Sequence, residues 1–381
     1  MIWMLIWAFL SGQELKLVET MRFGGGDDDR YLWQGANQPC TFTVNQKGHV
    51  FVIDARNVRI LEFDDKGAFV RQLASQGQGP GEYQSVAQFQ ILTDGSAIGL
   101  DGLQGTLRRQ IYDKELNFQH AEVLSGLTGF APKILFSPTG SYAYAWFLKF
   151  NADTSTLTSL SAITDSNLQP LEIFHETPWP TINGATLSDR ALLVQALASQ
   201  FNGVWQLNAK IARHLTDDRL MYVDNINHKI EIRTADAKTT LVEIKHTLKP
   251  EAFEDDQRQA LVSSLEEHLF NQGGQALMQI VTPAVLRESI EQADLPRVNY
   301  SVHDVVPVND GGFFLLTDVD YQRKSITLQR FDKSGTFMGR APYPGDGVWT
   351  VFGTRIAATD KAIYGMEVNE DGDHIVVRYA Y

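Results

Sequence analysis

Aspartates recur where strand-like segments end: Asp54, Asp101, Asp224, and Asp318 or Asp320. A ring of carboxylates could bind a cation or a polar ligand at a mouth. The alternative is that each accepts hydrogen bonds from its own turn. Recurrence favours the second, because a scaffold repeats and a binding site is asymmetric. Arg56, Asn57 and Arg59 cluster with Asp54, and Asp318–Arg323, which includes Asp320 and Tyr321, is the comparable turn further on. An arginine in a polar turn can form bidentate bonds to a ligand carboxylate, or it can tie one structural unit to the next. Asp54, Arg56, Asn57, Arg59, Asp224, Asp318, Asp320, Tyr321 and Arg323 are therefore the candidate ligand contacts.

Other chemistry is weakly signalled. The 9 histidines show no HExxH pattern and no paired short spacing. His49, His214 and His303 fall near the ends of strand-like segments in different repeats, so convergence on a metal is open to them. The run Gly24–Asp29, GGGDDD, has oxygens for calcium but no calcium-loop spacing, so a solvated acidic loop is the favoured reading. Gly77–Gly81 is not a phosphate cradle, since no Lys-Ser/Thr and no helix follow it. No GxSxG nucleophile occurs. Tyr31, Trp33, Tyr83, Trp179, Tyr300 and Trp349 fall between repeats, where they either line a mouth or pack neighbours together. No catalytic residue and no metal ligand is assigned, and no resident cofactor is expected. Calcium or a transition metal in a central channel is what an enzymatic alternative would require.

These residues sit in a repeat. Val50–Tyr83 reads as strand, turn, strand, turn, strand and glycine-rich loop. Turns recur at Asn45–Gly48, Thr93–Ser96, Ser137–Gly140, Thr216–Asp218, Asn309–Gly312 and Ala358–Lys361. A second set falls at Asp64–Gly67, Asp113–Leu116, Asp165–Leu168, Ala235–Lys238 and Asp332–Gly335. A period in the middle forties with four strands per unit is the spacing of propeller blades. Six blades are expected, over about 38–76, 85–124, 130–177, 204–248, 300–342 and from Val351 onward. The sixth reaches only three strands by Tyr381, and Leu15–Phe23 alternates like the missing one. An N-terminal strand docked beside His374–Tyr381 would close the ring.

Two gaps exceed the period. In 178–202, Ser188 is the expected N-cap of a helix. In 249–296, Pro250 opens a helix with an apolar stripe at Phe253, Leu261, Leu265 and Leu269, stopped by Gly273-Gly274, and AVLRESIEQA forms a shorter one. The fold class is thus all-β: a six-bladed β-propeller closed by an N-terminal strand, with a helical insertion between blades four and five and a smaller one before blade four. Both insertions join the last strand of one blade to the first of the next, so both lie on one face. Ligand binding is expected on that capped face.

Composition narrows the partners. The net charge of −13, with no basic block, argues against a nucleic-acid surface or a basic membrane-binding face. Apolar content of 43% in 381 residues allows a sizeable core, and Cys40 is the single cysteine, so no internal disulfide supports it. Ile2–Leu10 is uninterrupted apolar, long enough for a secretory leader and too short to span a bilayer. Residues 1–12 are expected to be a signal peptide, with a buried strand as the alternative, and 13–381 a single domain. An exported, periplasmic or extracellular monomer, not integral to the membrane, follows.

VFVIDARNVRILEFDDKGAFVRQL resembles the NHL repeat, in which a strand ends in aspartate, a polar turn with asparagine follows, and the next strand carries Arg-Ile and a Phe-Asp turn. Those positions are Asp54, Asn57, Arg59-Ile60 and Phe63-Asp64. The GQGPGEY loop, the Lys249–Phe270 region and the blade beginning VHDVVPVNDGG are similar to exported bacterial six-bladed propellers of that type. The resemblance implies a non-catalytic binding platform for a small molecule, glycan or protein. Some six-bladed relatives are enzymes, so a propeller hydrolase or lyase is the alternative.

Overall fold

The computed structural model describes residues 14–33, 41–102, 107–124, 129–151, 156–245, 255–257, 259–260, 262–263, 281–293, 300–320, 323, 325–345, 349–350 and 353–381. Six four-stranded antiparallel sheets form from consecutive stretches of chain. The first comprises Thr41–Val44, Val50–Asp54, Arg59–Phe63 and Phe69–Ala74. The second runs from Val86–Ile91 to Phe118–Val123, the third from Gly129–Phe136 to Pro170–Trp179, the fourth from Lys210–His214 to Thr240–Glu243, and the fifth from Asp304–Pro307 to Phe337–Pro342. The sixth has strands Ile356–Ala358, Ala362–Val368 and His374–Ala380, and its fourth strand is Val18–Phe23 from the other end of the chain. Val18 pairs with Ala380 and Phe23 with Val376. This is the six-bladed β-propeller that the spacing predicts, closed as expected.

The turns explain why these residues make hairpins. Asp64, Asp113, Asp165 and Asp332 each open a turn by accepting, through Oδ1, the amides two and four residues on. The chain then needs a positive φ, supplied by Gly67 and Gly335 in two turns and by Leu116 and Leu168 in the others. Each leucine is held there by burial.

Among the described residues the apolar core is divided between the blades. Each pair of neighbouring blades has its own apolar cluster. Phe51, Ile60, Tyr83 and Phe89 join blades one and two, for example, and Trp33, Val50, Phe63 and Tyr364 join blades six and one. The closing strand contributes Met21 to the latter.

Helix α1 (Gly184–Ser188) and helix α2 (Arg190–Asn208) lie between blades three and four, and helix α3 (Pro283–Gln292) between blades four and five. The N-caps are Asn183 for α1 and Thr282 for α3. Ser188 is not a cap: Asp189 accepts the amides of Ala191 and Leu192 instead, because the chain turns once before α2 begins. The insertion also starts and ends later than 178–202. Blade three continues to Trp179 and α2 continues to Asn208, so blade four begins at Lys210. Residues 255–257, 259–260 and 262–263 are helical. Phe253, Leu261, Leu265, Leu269 and Gly273-Gly274 lie outside the described residues. Leu193, Val194 and Leu197 of α2 pack with Val285, Leu286 and Ile290 of α3, and Arg190 bonds Glu288 at 2.7 Å. The two insertions therefore form one cap, continuous with the core between blades five and six.

Candidate functional site

In a four-stranded meander, the turn between strands two and three shares a face with the connection to the next blade. The described candidate residues belong to such turns or to the strand ends beside them, so they rim the capped face. In blade one, Asp54 is fully buried. Its Oδ2 accepts from Asn57 Nδ2 at 2.8 Å and Arg59 Nε at 2.7 Å. Arg59 continues to Asp29, donating to its carboxylate at 2.6 Å and its carbonyl at 2.7 Å, and to the Leu32 carbonyl at 3.1 Å. Burial alone would lower the Arg59 pKa, and the hydrogen bonds to Asp54 and Asp29 outweigh it and hold it above the usual value. Arg59 thus clamps the segment after the closing strand onto blade one. Arg56 and Asn57 stand exposed at the turn tip.

Asp224 in blade four accepts from the Ile226 and Asn227 amides and from Asn227 Nδ2, at 3.1, 3.0 and 2.9 Å. Asp101 in blade two does similar work for Gln84, Ser85 and Arg108. In blade five, Asp318 adopts φ 51° and accepts from Thr317 Oγ1, Asp320 accepts the Arg323 amide at 3.0 Å, and Arg323 is 84% exposed. Tyr321 lies outside the described residues. The candidates therefore form three local groups. Those of blades four and five are neighbours, and that of blade one lies across the ring. The buried aspartates of blades one and four order their own turns, whereas Asp101 ties the connection entering blade two, at Gln84 and Ser85, to the end of its strand.

The histidines enter different surroundings. His49 bonds Glu62 at 2.8 Å, and His214 meets the Ala235 carbonyl at 3.0 Å and stacks on Tyr142. Among the described residues, no group of three or more His, Cys, Asp or Glu is placed to hold a metal. In the acidic loop, Asp28 pairs with Arg30 and Asp29 with Arg59. Of the inter-repeat aromatics, Trp33 and Tyr83 are buried between blades, Tyr300 stacks on Trp205, and Trp179 packs against Trp146 and Gly203. The Gly77–Tyr83 loop borders a groove of about 330 Å³ with Arg108, Phe118 and His120.

The two faces differ. The opposite face is stitched shut by short turns: Thr93 N donates to the Pro138 carbonyl, Thr139 to Asp218, and Thr216 to the Val308 carbonyl. Among the described residues, exposed large apolar side chains avoid it. Phe150, Ile182, Leu187, Leu192, Ile226 and Val368 lie on the capped face, and the remainder lie on outer strands. Blade three also stands taller on that face, since its strands Tyr142–Asn151 and Thr156–Asp165 have ten residues against five to eight for the matching strands of other blades.

One cluster escaped sequence reasoning. Lys133, Arg213 and Asp304 stand on the innermost strands of blades three, four and five. Arg213 Nη2 is 2.7 Å from Asp304 Oδ1, and the guanidinium lies over the Tyr144 ring at 5.8 Å. The available signal was a charge inside the first strand of a blade, as in GFAPKILF.

A family model described as a 6-bladed beta-propeller matches residues 43–177. No curated protein sequence matches the chain. Among solved structures, a member of the DUF4221 family from Bacteroides vulgatus aligns over 97% of this chain and 98% of its own, at 10% identity and TM-score 0.48. A Bacteroides fragilis protein aligns over 96% and 94%, at 11% identity and TM-score 0.46. Virginiamycin B lyase from Staphylococcus aureus aligns over 96% and 99%, at 10% identity and TM-score 0.40.

Proposed function

We propose that this chain is a non-catalytic binding propeller of the NHL type that takes a small molecule, glycan or protein on its helix-capped face. The observation that carries this reading is the distribution of exposed apolar side chains. Six of them occupy the capped face, and among the described residues none sits in the short turns opposite. Exposed apolar surface rimmed by polar turns is what a recognition face needs. Arg56, Asn57, Asp318, Asp320 and Arg323 supply the polar rim. Asp54, Arg59 and Asp224 support it from beneath. The NHL pattern around Asp54 and the apolar stretch Ile2–Leu10 support an exported protein. Among the described residues no helix is long and apolar enough to cross a membrane.

Paired variants test the face. The probe is the tightest binder from a thermal-shift panel of small molecules and glycans. Asn57→Arg and Ile226→Arg change the capped face, whereas Lys114→Glu and Lys333→Glu change the other. The reading expects only the first pair to weaken binding. Weakening confined to the second pair would overturn it.

A further inference from the structure

The glycine-rich connection Gly77–Tyr83 and the two outer strands of blade two, Arg108–Tyr112 and Phe118–Val123, border a groove of about 330 Å³ on the flank of the ring. That volume falls in the range of small-molecule sites. Pro80, Gly81, Phe118 and Ala121 give it apolar lining, and Arg108, Gln110 and His120 line it with polar groups. Among the described residues no carboxylate lines it, although the chain carries a net charge of −13. The nearby acids are engaged elsewhere. Glu82 Oε2 accepts the Gly79 amide at 2.7 Å, Asp101 Oδ1 accepts the Gln84 and Ser85 amides at 2.8 and 3.0 Å, and Glu122 pairs with Arg109. The walls are fixed in advance. Buried Gln110 donates from Nε2 to the Glu82 carbonyl at 2.7 Å, and Gly77 N donates to the Tyr83 carbonyl at 2.9 Å. Gly81 lies at φ 76° against Phe118, where a Cβ would stand 3.2 Å from the Phe118 Cβ. A loop held in this way loses little freedom when a guest enters.

We propose that this groove binds a small carboxylate with an aromatic body. Arg108 receives the anion. Its Nε and Nη2 both donate to Asp101 Oδ2, Nε at 3.0 Å, which fixes the guanidinium plane, and among the described residues Nη1 has no protein partner. The Arg108 side chain keeps 29% of its surface exposed while Asp101 keeps 2%, so the pair is open on the arginine side. A planar fork oriented by one buried carboxylate can meet a second through its remaining N–H groups. Phe118 and Pro80 offer apolar surface for the ligand's ring. His120 edges the groove with Nε2 held by Glu122 at 3.1 Å. The groove lies on the flank between blades one and two and not among the capped-face turns, so this inference and the reading above can fail separately.

The test uses para-bromophenylacetate and, as a neutral control, its amide. Isothermal titration of the full chain should show the acid binding at least about tenfold more tightly than the amide. Arg108→Gln should remove that preference. Because this variant leaves Asp101 without its cation, Ala121→Trp supplies a second arm: it fills the groove from an exposed strand position and should abolish binding. Asn57→Arg and Ile226→Arg, on the capped face, should leave the affinity unchanged, and a loss confined to them would move the ligand to that face and overturn the proposal. In soaked crystals of the unaltered chain, bromine should give an anomalous peak in the groove beside Phe118, a reading that does not depend on any variant folding. No measurable binding, equal affinity for acid and amide, unchanged affinity in Ala121→Trp, or bromine only elsewhere would overturn it.

Discussion

The phenol oxygens of Tyr83 and Tyr112 lie 2.9 Å apart in the core between blades one and two. Tyr83 comes from the glycine-rich connection and is fully buried. It fits because residue 99 is glycine: a Cβ there would stand 1.8 Å from the Tyr83 hydroxyl. The arrangement repeats between blades five and six, where Tyr343 lies over Gly365 with the same 1.8 Å limit and donates to Glu367 at 3.0 Å. A tyrosine from the connection, seated on a glycine of the next blade, locks successive blades together.

This lock predicts an asymmetric pair of effects. Tyr83→Phe loses one buried hydrogen bond and should cost about 1 kcal/mol. Gly99→Ala forces the ring out of its seat and should cost about 3 kcal/mol. Urea unfolding at constant slope measures both. A Gly99→Ala variant as stable as the parent would contradict the seat.

Ring closure predicts a larger loss. Removing Leu15–Phe23 exposes the edge of His374–Ala380 and strips Met21 from the core between blades six and one. The truncated chain should melt well below the parent or fail to fold. Circular dichroism melts decide it, and an unchanged midpoint would rule the closure out as a source of stability.

The Arg59 clamp separates two kinds of ion pair. Arg59→Ala leaves Asp54 buried without its main cation and should cost about 3–5 kcal/mol. Asp29→Ala should cost less than about 1 kcal/mol, because Asp29 is 83% exposed. Adding Asp54→Asn to Arg59→Ala should recover part of the loss. A double-mutant cycle without coupling between positions 54 and 59 would contradict the clamp.

Acid should unfold the protein through half-buried histidines. His303 and His374 are each held to about 4, first by burial, with Arg355 adding to the effect at His374. Their ordinary value is 6.5. Between the two values the unfolded chain binds protons that the folded chain does not, so stability falls as pH drops from 6.5 toward 4. Above 6.5 both states hold neutral rings and the contribution is fully present. His374→Gln should flatten the loss by about one proton in denaturation curves at pH 7, 6, 5 and 4.5. An unchanged slope would place the acid sensitivity elsewhere.

Sequence carried the propeller because its signals are local and repeated. An aspartate opens most turns between third and fourth strands, and the spacing returns blade after blade. The closing strand was legible because blade six lacked one. The site was legible only in part. The turns on the capped face were identified, yet Arg59 acts through Asp29, which lies 30 residues upstream and looked like part of a solvated loop. Lys133, Arg213 and Asp304 meet only because three blades converge, and a strand's own pattern does not say which charge faces the axis. Ser188 was misread as a cap because Ser188 and Asp189 are both good caps, and a single turn of helix shifts the choice by one residue.

The most direct test of the capped-face assignment is hydrogen–deuterium exchange of the full chain, free and saturated with its tightest screened binder. Protection should appear in peptides covering 55–58, 180–209 and 225–228, and not in those covering 64–68, 113–117 and 332–336. Protection confined to the second set would place recognition on the short-turn face and contradict the account.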